Sequence, residues 1–319
     1  MTAQPPITVR PRLLFVDDEA RILVSLKSIF RTDYDVRTAN SGAEAIEILR
    51  DWPADVLVSD QRMPEMTGVD VLRSAAAIRP DTTRILLTGY SDLEAIIGSV
   101  NDGEIFRFVS KPWRRNELRD TVAAAVRTTA SALASNDPEP IAIQSPPEAQ
   151  PAGETPANSD QPGVLILDAD AAEREALRHV LSADRPTYVA GSFYDALEQI
   201  KTHRIGTVIT ESSIGGEPVT TLVNGLHQLR PGLVYIVLTG QPDAQHIIDL
   251  INYGQIYRVL RKPINVSVLR GAVNLAARRH QTLERRPDCA RQLTAELAPL
   301  PPERQNRVLF AQIRQSLPA

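Results

Sequence analysis

Five side chains of this 319-residue chain have types and positions that could do chemistry together. Asp17 and Asp18 close the apolar run Leu13-Leu14-Phe15-Val16, and Asp60 follows Val56-Leu57-Val58. Thr88 ends Ile85-Leu86-Leu87, and Lys111 comes just after an apolar run at 105–109. In an open parallel sheet, ligands bind outside the carboxyl ends of the strands, so four such strands would aim these residues at one pocket. Three carboxylates at that spacing repel, and some would take up protons at neutral pH unless a cation neutralised them. All-oxygen donors with no His or Cys nearby favour Mg²⁺, which accepts one or two carboxylates plus phosphoryl oxygens. Lys111 and Thr88 complete a cup for a phosphoryl group: the cation and the ammonium neutralise its charge, and the hydroxyl bonds one of its oxygens.

The elements that must hold these residues read as alternating strands and helices. Strands are expected at 12–17, 34–38, 55–59, 83–88 and 105–109, and helices at 19–31, 42–51, 69–78, 92–102 and 114–130. Runs as apolar as Val56-Leu57-Val58 imply a parallel sheet covered on both faces, with right-handed crossovers.

The chain then repeats itself at a constant offset of 151 residues. Leu14-Phe15-Val16-Asp17 falls on Leu165-Ile166-Leu167-Asp168, Asp60 on Glu211, Thr88-Gly89 on Thr239-Gly240, and Lys111-Pro112 on Lys262-Pro263. One register held that long marks an internal duplication. Between the copies, about residues 131–162 carry seven prolines, from Pro138 to Pro162, among Ala, Glu, Ser and Gln. Such a segment has no apolar periodicity to offset its ordering entropy and reads as a flexible linker.

Bulk properties add bounds. A content of 43% hydrophobic residues with 5% aromatics suits α/β folds, and the length accommodates two cores. The single Cys289 forms no internal disulfide, and the first residues carry no apolar signal segment, so a cytoplasmic chain is expected. No apolar run is long enough to span a bilayer, and a net charge of -4 argues against broad nucleic-acid affinity.

The first half resembles the receiver domains of bacterial two-component response regulators. The resemblance rests on Asp17-Asp18, Asp60, Thr88 and Lys111-Pro112 in order, together with Ser59-Asp60-Gln61-Arg62-Met63-Pro64-Glu65-Met66-Thr67-Gly68. It implies a flavodoxin-like (βα)5 fold and an Asp60 that accepts a phosphoryl group from a histidine kinase or phosphotransfer protein. It further implies Mg²⁺ held by Asp18, by Asp17 mostly through water, by Asp60 and by the main-chain carbonyl of Arg62. Thr88 and Lys111 would hold the phosphoryl oxygens. Phe108 would fill the aromatic switch position, its ring turning inward as Thr88 moves toward the phosphoryl group. Arg62 and Tyr90 fall where this family tunes dephosphorylation. Output would be a changed protein-binding surface rather than catalysis, with homodimerisation left open.

The second half resembles the same family but departs where the chemistry lies. Ala169 replaces the metal-touching carboxylate, Glu211 the acceptor Asp, Gly215-Gly216 the Pro64-Glu65 pair, and Val259 the switch aromatic. Weak metal binding is expected. Two readings stay open: Glu211 reaches Lys262 and locks a state like the phosphorylated one, or the domain is an inert interaction module. The domain plan is then an extension at 1–10, a phosphorylatable receiver at 11–130, the linker at 131–162, a degenerate receiver at 163–280 and a helical tail at 281–319.

In the tail, helices are expected near 289–298 and 303–317, either side of Pro299-Leu300-Pro301-Pro302. Leu309, Ile313 and Leu317 share one face, which would pack back on the second receiver or dock on a partner. Arg278, Arg279, Arg285 and Arg286 are interrupted by Glu284 and Asp288, and the tail is short for a DNA-binding module. Two other classes compete: a scaffold that never carries phosphate, and a haloacid-dehalogenase-like phosphatase, suggested by Asp168-Ala169-Asp170. The phosphatase needs a further acidic pair after its lysine, whereas Lys111 is followed by Pro-Trp-Arg-Arg and Lys262 by Pro-Ile-Asn-Val.

Overall fold

The computed structural model describes residues 10–89, 92, 97–98, 101, 107–134, 161–240, 244–254, 256–286 and 306–316. These fall into two units, one built mainly from the N-terminal half and one from the C-terminal half.

The first unit runs β1 (Arg12–Val16), α1 (Ala20–Phe30), β2 (Asp35–Ala39), α2 (Gly42–Asp51), β3 (Val56–Asp60), α3 (Gly68–Ile78), β4 (Thr83–Thr88), β5 (Arg107–Ser110) and α4 (Arg115–Ala134). All strands are parallel, in the order β2-β1-β3-β4-β5. Strand β3 is central and wholly buried, as its unbroken apolar run requires. One face is filled by Leu13, Phe15, Val56, Val58, Ile85 and Leu87, packed under α1 and α4. Helix α2 begins where the Ser41 side chain accepts from the Glu44 amide, and α3 begins in a reciprocal capping box between Thr67 and Asp70.

The second unit runs β6 (Gly163–Leu167), α5 (Ala171–Leu181), β7 (Thr187–Ala190), α6 (Phe193–Thr202), β8 (Ile205–Glu211), β9 (Ser213–Ile214), β10 (Glu217–Pro218), α7 (Thr220–Leu229), β11 (Val234–Thr239), α8 (Ala244–Gly254), β12 (Arg258–Arg261), α9 (Val266–Arg285) and α10 (Arg307–Ser316). Its main sheet is also parallel, ordered β7-β6-β8-β11-β12. Copied by position, that is the strand order of the first unit. The short antiparallel β9–β10 hairpin has no counterpart among the described residues of the first unit. Its turn is Gly215-Gly216, with φ of 59° and 85°, the positive-φ pair that a two-residue hairpin demands.

Several expectations shift. Helix α4 runs four residues into the segment expected to be linker, because the Ala-rich stretch up to Ala134 favours helix and no proline intervenes before Pro138. Helix α9 passes the expected boundary at 280: Leu283 is buried and the first breaker is Pro287. In the tail, α10 packs on α6 and α7, with Leu309 and Ile313 buried and the Asn306 amide 3.3 Å from Thr221 Oγ1. The tail helix therefore covers its own unit. The helix expected at 289–298, most of that at 92–102, residues 135–160 of the linker, the extension at 1–9, and Tyr90 and Leu317 lie outside the described residues.

Candidate functional site

The first pocket is assembled from strand ends. Asp17 follows β1, Asp60 and Thr88 are the last residues of β3 and β4, and Lys111 follows β5. A backbone bond from the Lys111 amide to the Thr88 carbonyl, 2.8 Å, brings the lysine alongside. Its Nζ lies 2.6 Å from Asp60 Oδ1 and 3.5 Å from Asp17 Oδ2. Carboxylate oxygens of Asp17, Asp18 and Asp60 lie within 4.8 Å of one another. Asp17 and Asp60 are buried, whereas Asp18 is exposed at the rim.

The electrostatics follow from that burial. Desolvation raises the Asp17 pKa, and the Asp60 charge adds to it, against the bond accepted from the Glu19 amide and the attraction of Lys111. Three carboxylates face a single ammonium, so the donor set has room for a divalent cation with hard oxygen ligands. These residues fit such an ion by charge and donor type. The sequence-predicted set Asp17, Asp18, Asp60 and Lys111 is thus brought together.

The loop that presents Asp60 is held tightly. Gln61 ties to β4 through its amide and the Leu87 carbonyl, 2.9 Å, while its side-chain oxygen accepts from the Val69 amide at 3.1 Å. The Gly68 amide bonds the Gln61 carbonyl at 3.0 Å. A Cβ on Gly68 would overlap the Asp60 carbonyl oxygen, so only glycine allows α3 to start that close.

Thr88 is fully buried, and its hydroxyl oxygen lies 3.2 Å from both the Gly89 carbonyl and Asp92 Oδ2. Arg62, whose guanidinium reaches Asp92 Oδ1 at 2.7 Å, is exposed at its tip. Asp92 went unnoticed in the sequence because it belongs to no strand end; its spacing of four from Thr88 was the available signal. Phe108 is already 1% exposed, as are its buried neighbours Arg107 and Val109 at 5% and 2%.

The second pocket has a different logic. Lys262 Nζ contacts Glu211 at 2.5 Å, Glu173 at 2.6 Å and Asp168 at 3.3 Å. Burial alone would lower the Lys262 pKa, but hydrogen bonds to Glu173 and Glu211 and the charge of Asp168 outweigh it and raise the pKa well above the usual lysine value. The Glu211 to Lys262 pair, part of one of the two open readings, is present. Glu173, on the first turn of α5, was not expected: it supplies a third carboxylate where the first half has Ile22.

Residues 13–123 match the response regulator receiver domain family. Over this part the chain is homologous to response regulators. It is 40% identical over 114 residues to the hydrogenase transcriptional regulatory protein HoxA of Cupriavidus necator, covering 36% of this chain and 24% of that protein. It is 34% identical over 119 residues to the response regulator protein PilR of Pseudomonas aeruginosa, covering 37% and 26%. The chain thus spans about a quarter of the length of the curated relatives it matches. Among solved structures, the signal receiver domain of an HD domain-containing protein from Pseudomonas fluorescens Pf-5 is 32% identical, covering 42% of this chain and 99% of that one at a TM-score of 0.39. Among the described residues, no helix is long and apolar enough to cross a membrane.

Proposed function

We propose that the chain is a two-component response regulator whose first unit, about residues 11–130, is phosphorylated on Asp60, and whose second unit, about 163–280, is a degenerate receiver. The observation that carries the reading is Lys111 Nζ at 2.6 Å from Asp60 Oδ1, beside two further carboxylates of the same cluster. An Asp60 oxygen attacks the phosphorus of a phosphohistidine on a histidine kinase or phosphotransfer protein. The O–P bond forms as the donor's P–N bond breaks, and the imidazole nitrogen keeps the electron pair. Lys111 balances charge on the transferred group, and Thr88 donates its hydroxyl proton to one of its oxygens. Asp17, Asp18, Asp60 and the Arg62 main-chain carbonyl would hold Mg²⁺, which would supply charge neutralisation at the phosphoryl oxygens.

The second unit supports the degenerate reading through its lysine, whose charge is already met by three carboxylates. Its role is to contact proteins without carrying phosphate. The relatives' names as transcriptional regulators make a nucleic-acid-directed output one outcome of identifying the downstream partner.

The test is labelling of the full chain with a small acyl-phosphate donor and Mg²⁺. About one base-labile phosphoryl group per chain is expected at Asp60 by mass spectrometry, and Asp60→Asn should abolish it. Labelling that survives Asp60→Asn moves the acceptor elsewhere. Repeated turnover of a phosphomonoester would make the chain a phosphatase instead.

A further inference from the structure

Asp92 is the centre of a small network that the chemistry of the pocket does not require. Its carboxylate accepts from three groups: the Arg62 guanidinium at 2.7 Å, the Gly89 amide at 3.3 Å and the Thr88 hydroxyl at 3.2 Å. Its side chain is only 9% exposed, so it competes for these donors with little dilution by water. Arg62 lies two residues beyond Asp60, and Thr88 ends the neighbouring strand. One carboxylate therefore ties together the loops that flank the acceptor.

A hydroxyl carries one proton. When that of Thr88 serves Asp92 or the Gly89 carbonyl, it is not available to a phosphoryl oxygen. We propose that Asp92 is a positioning residue that latches Thr88 in the unphosphorylated state, so that phosphorylation must draw the hydroxyl away from a charged acceptor. The inference rests on the phosphoryl reading of Asp60 and deepens it. A bond to an ionised acceptor is stronger than one to a neutral carbonyl, so the latch opposes the activated state more than the Gly89 carbonyl alone would. Releasing it shifts the balance toward the activated arrangement without any phosphate, because only the differential interaction moves such an equilibrium.

The experiment titrates beryllofluoride, a phosphoryl mimic, into the full chain with saturating Mg²⁺ and follows tryptophan fluorescence. Trp113 is the reporter, its ring centre 5.7 Å from Lys111 Nζ. The isosteric Asp92→Asn is expected to tighten half-saturation about tenfold, the size of one charge-assisted bond exchanged for a neutral one. Mg²⁺ half-saturation, measured alone, stays at the wild-type value and shows that the pocket is intact. In a Thr88→Ala background the same Asp92→Asn change should do nothing. Equal beryllofluoride affinity in wild type and Asp92→Asn overturns the latch. So does an identical tightening in the Thr88→Ala background, since the effect would then bypass the hydroxyl. A wild-type chain that takes no beryllofluoride overturns the phosphoryl reading of Asp60, and the latch with it.

Discussion

The two pockets have the same carboxylate-to-ammonium ratio and opposite degrees of closure. In the first, Lys111 reaches Asp60 and Asp17, while Asp18 is exposed and Glu19 makes no side-chain cap on α1. In the second, Lys262 touches all three carboxylates of its cluster, and Asp170 caps α5 through the amides of Ala172 and Glu173. Arg174 adds a clamp, its guanidinium donating to the Asp168 and Ala169 carbonyls at 2.6 and 2.9 Å. The first half has Leu23 there. One pocket leaves Asp18 exposed, and the other turns its polar groups on one another. The backbone frame beneath is shared: the Glu19 and Asp170 amides bond Asp17 and Asp168 at 2.9 and 2.8 Å, and the two lysine amides bond Thr88 and Thr239 at 2.8 and 2.9 Å.

That contrast predicts how to convert one pocket into the other. Restoring the first half's residues with Ala169→Asp, Glu173→Ile and Glu211→Asp removes the long carboxylates from Lys262 and returns an acidic pair to the end of β6. The full chain should then bind two equivalents of Mn²⁺, counted by electron paramagnetic resonance, where the wild type binds one. A count of one in the triple variant would mean that the clamp by Arg174 and the β9–β10 hairpin, rather than the lysine cage, close the second pocket.

The cores differ in their response to acid. His227 in α7 is buried against Tyr235, ring centres 4.8 Å apart, and desolvation lowers its pKa from 6.5 to about 4. Its counterpart in the first half is Ala76. Between those values the unfolded chain binds the extra proton, so the stabilisation is complete above pH 6.5 and is lost as pH falls toward 4. The loss is roughly 3 kcal/mol at one pKa unit per ~1.4 kcal/mol. Urea midpoints at pH 7.5 and 4.5 should therefore fall less in His227→Phe than in the wild type. Equal drops would assign the acid sensitivity to other groups.

Backbone approach differs too. Gly68 lets α3 start against the Asp60 carbonyl, whereas the corresponding Val219 precedes α7 just after the β9–β10 hairpin. Gly68→Ala should destabilise the first unit by about 1–3 kcal/mol, the range for an overpacked site, and lower the rate of Asp60 labelling by displacing the acceptor. Unchanged labelling with normal thermal unfolding would show that the β3–α3 junction yields freely.

How far all this could be read from residues alone depends on the range of each interaction. Apolar runs and strand-end carboxylates announced both sheets and the Asp17, Asp18, Asp60 and Lys111 cluster, because strand order brings strand ends together whatever their loops do. The 151-residue register set Glu211 against Lys262 only as one of two open readings, and the pair is present. Glu173 and Asp92 were hidden for the opposite reason. Each acts from the residues after a strand end, where the direction of one side chain decides the partner and periodicity is silent. The β9–β10 hairpin left a trace in Gly215-Gly216, but a glycine pair signals a turn without saying which strands flank it. The packing of α10 on α6 and α7 was legible only as an apolar face seeking cover.

The smallest contrast concerns a single backbone angle. Glu65 has φ of 65°, and the corresponding Gly216 has φ of 85°, so both halves turn left-handed at the same place. For a side chain with a Cβ this conformation costs about 1–2 kcal/mol, while glycine adopts it freely at the expense of about 0.5–1 kcal/mol of unfolded-state entropy. Glu65 is exposed and follows Asp60 by five residues. Glu65→Gly should then stabilise the first unit by about 0.5 kcal/mol, a small rise in its thermal midpoint, and Gly216→Ala should destabilise the second by about 1 kcal/mol. If Glu65→Gly lowers the midpoint instead, the glutamate's own contacts repay its strain, and the left-handed turn after Asp60 belongs to the acceptor loop's function rather than to its fold.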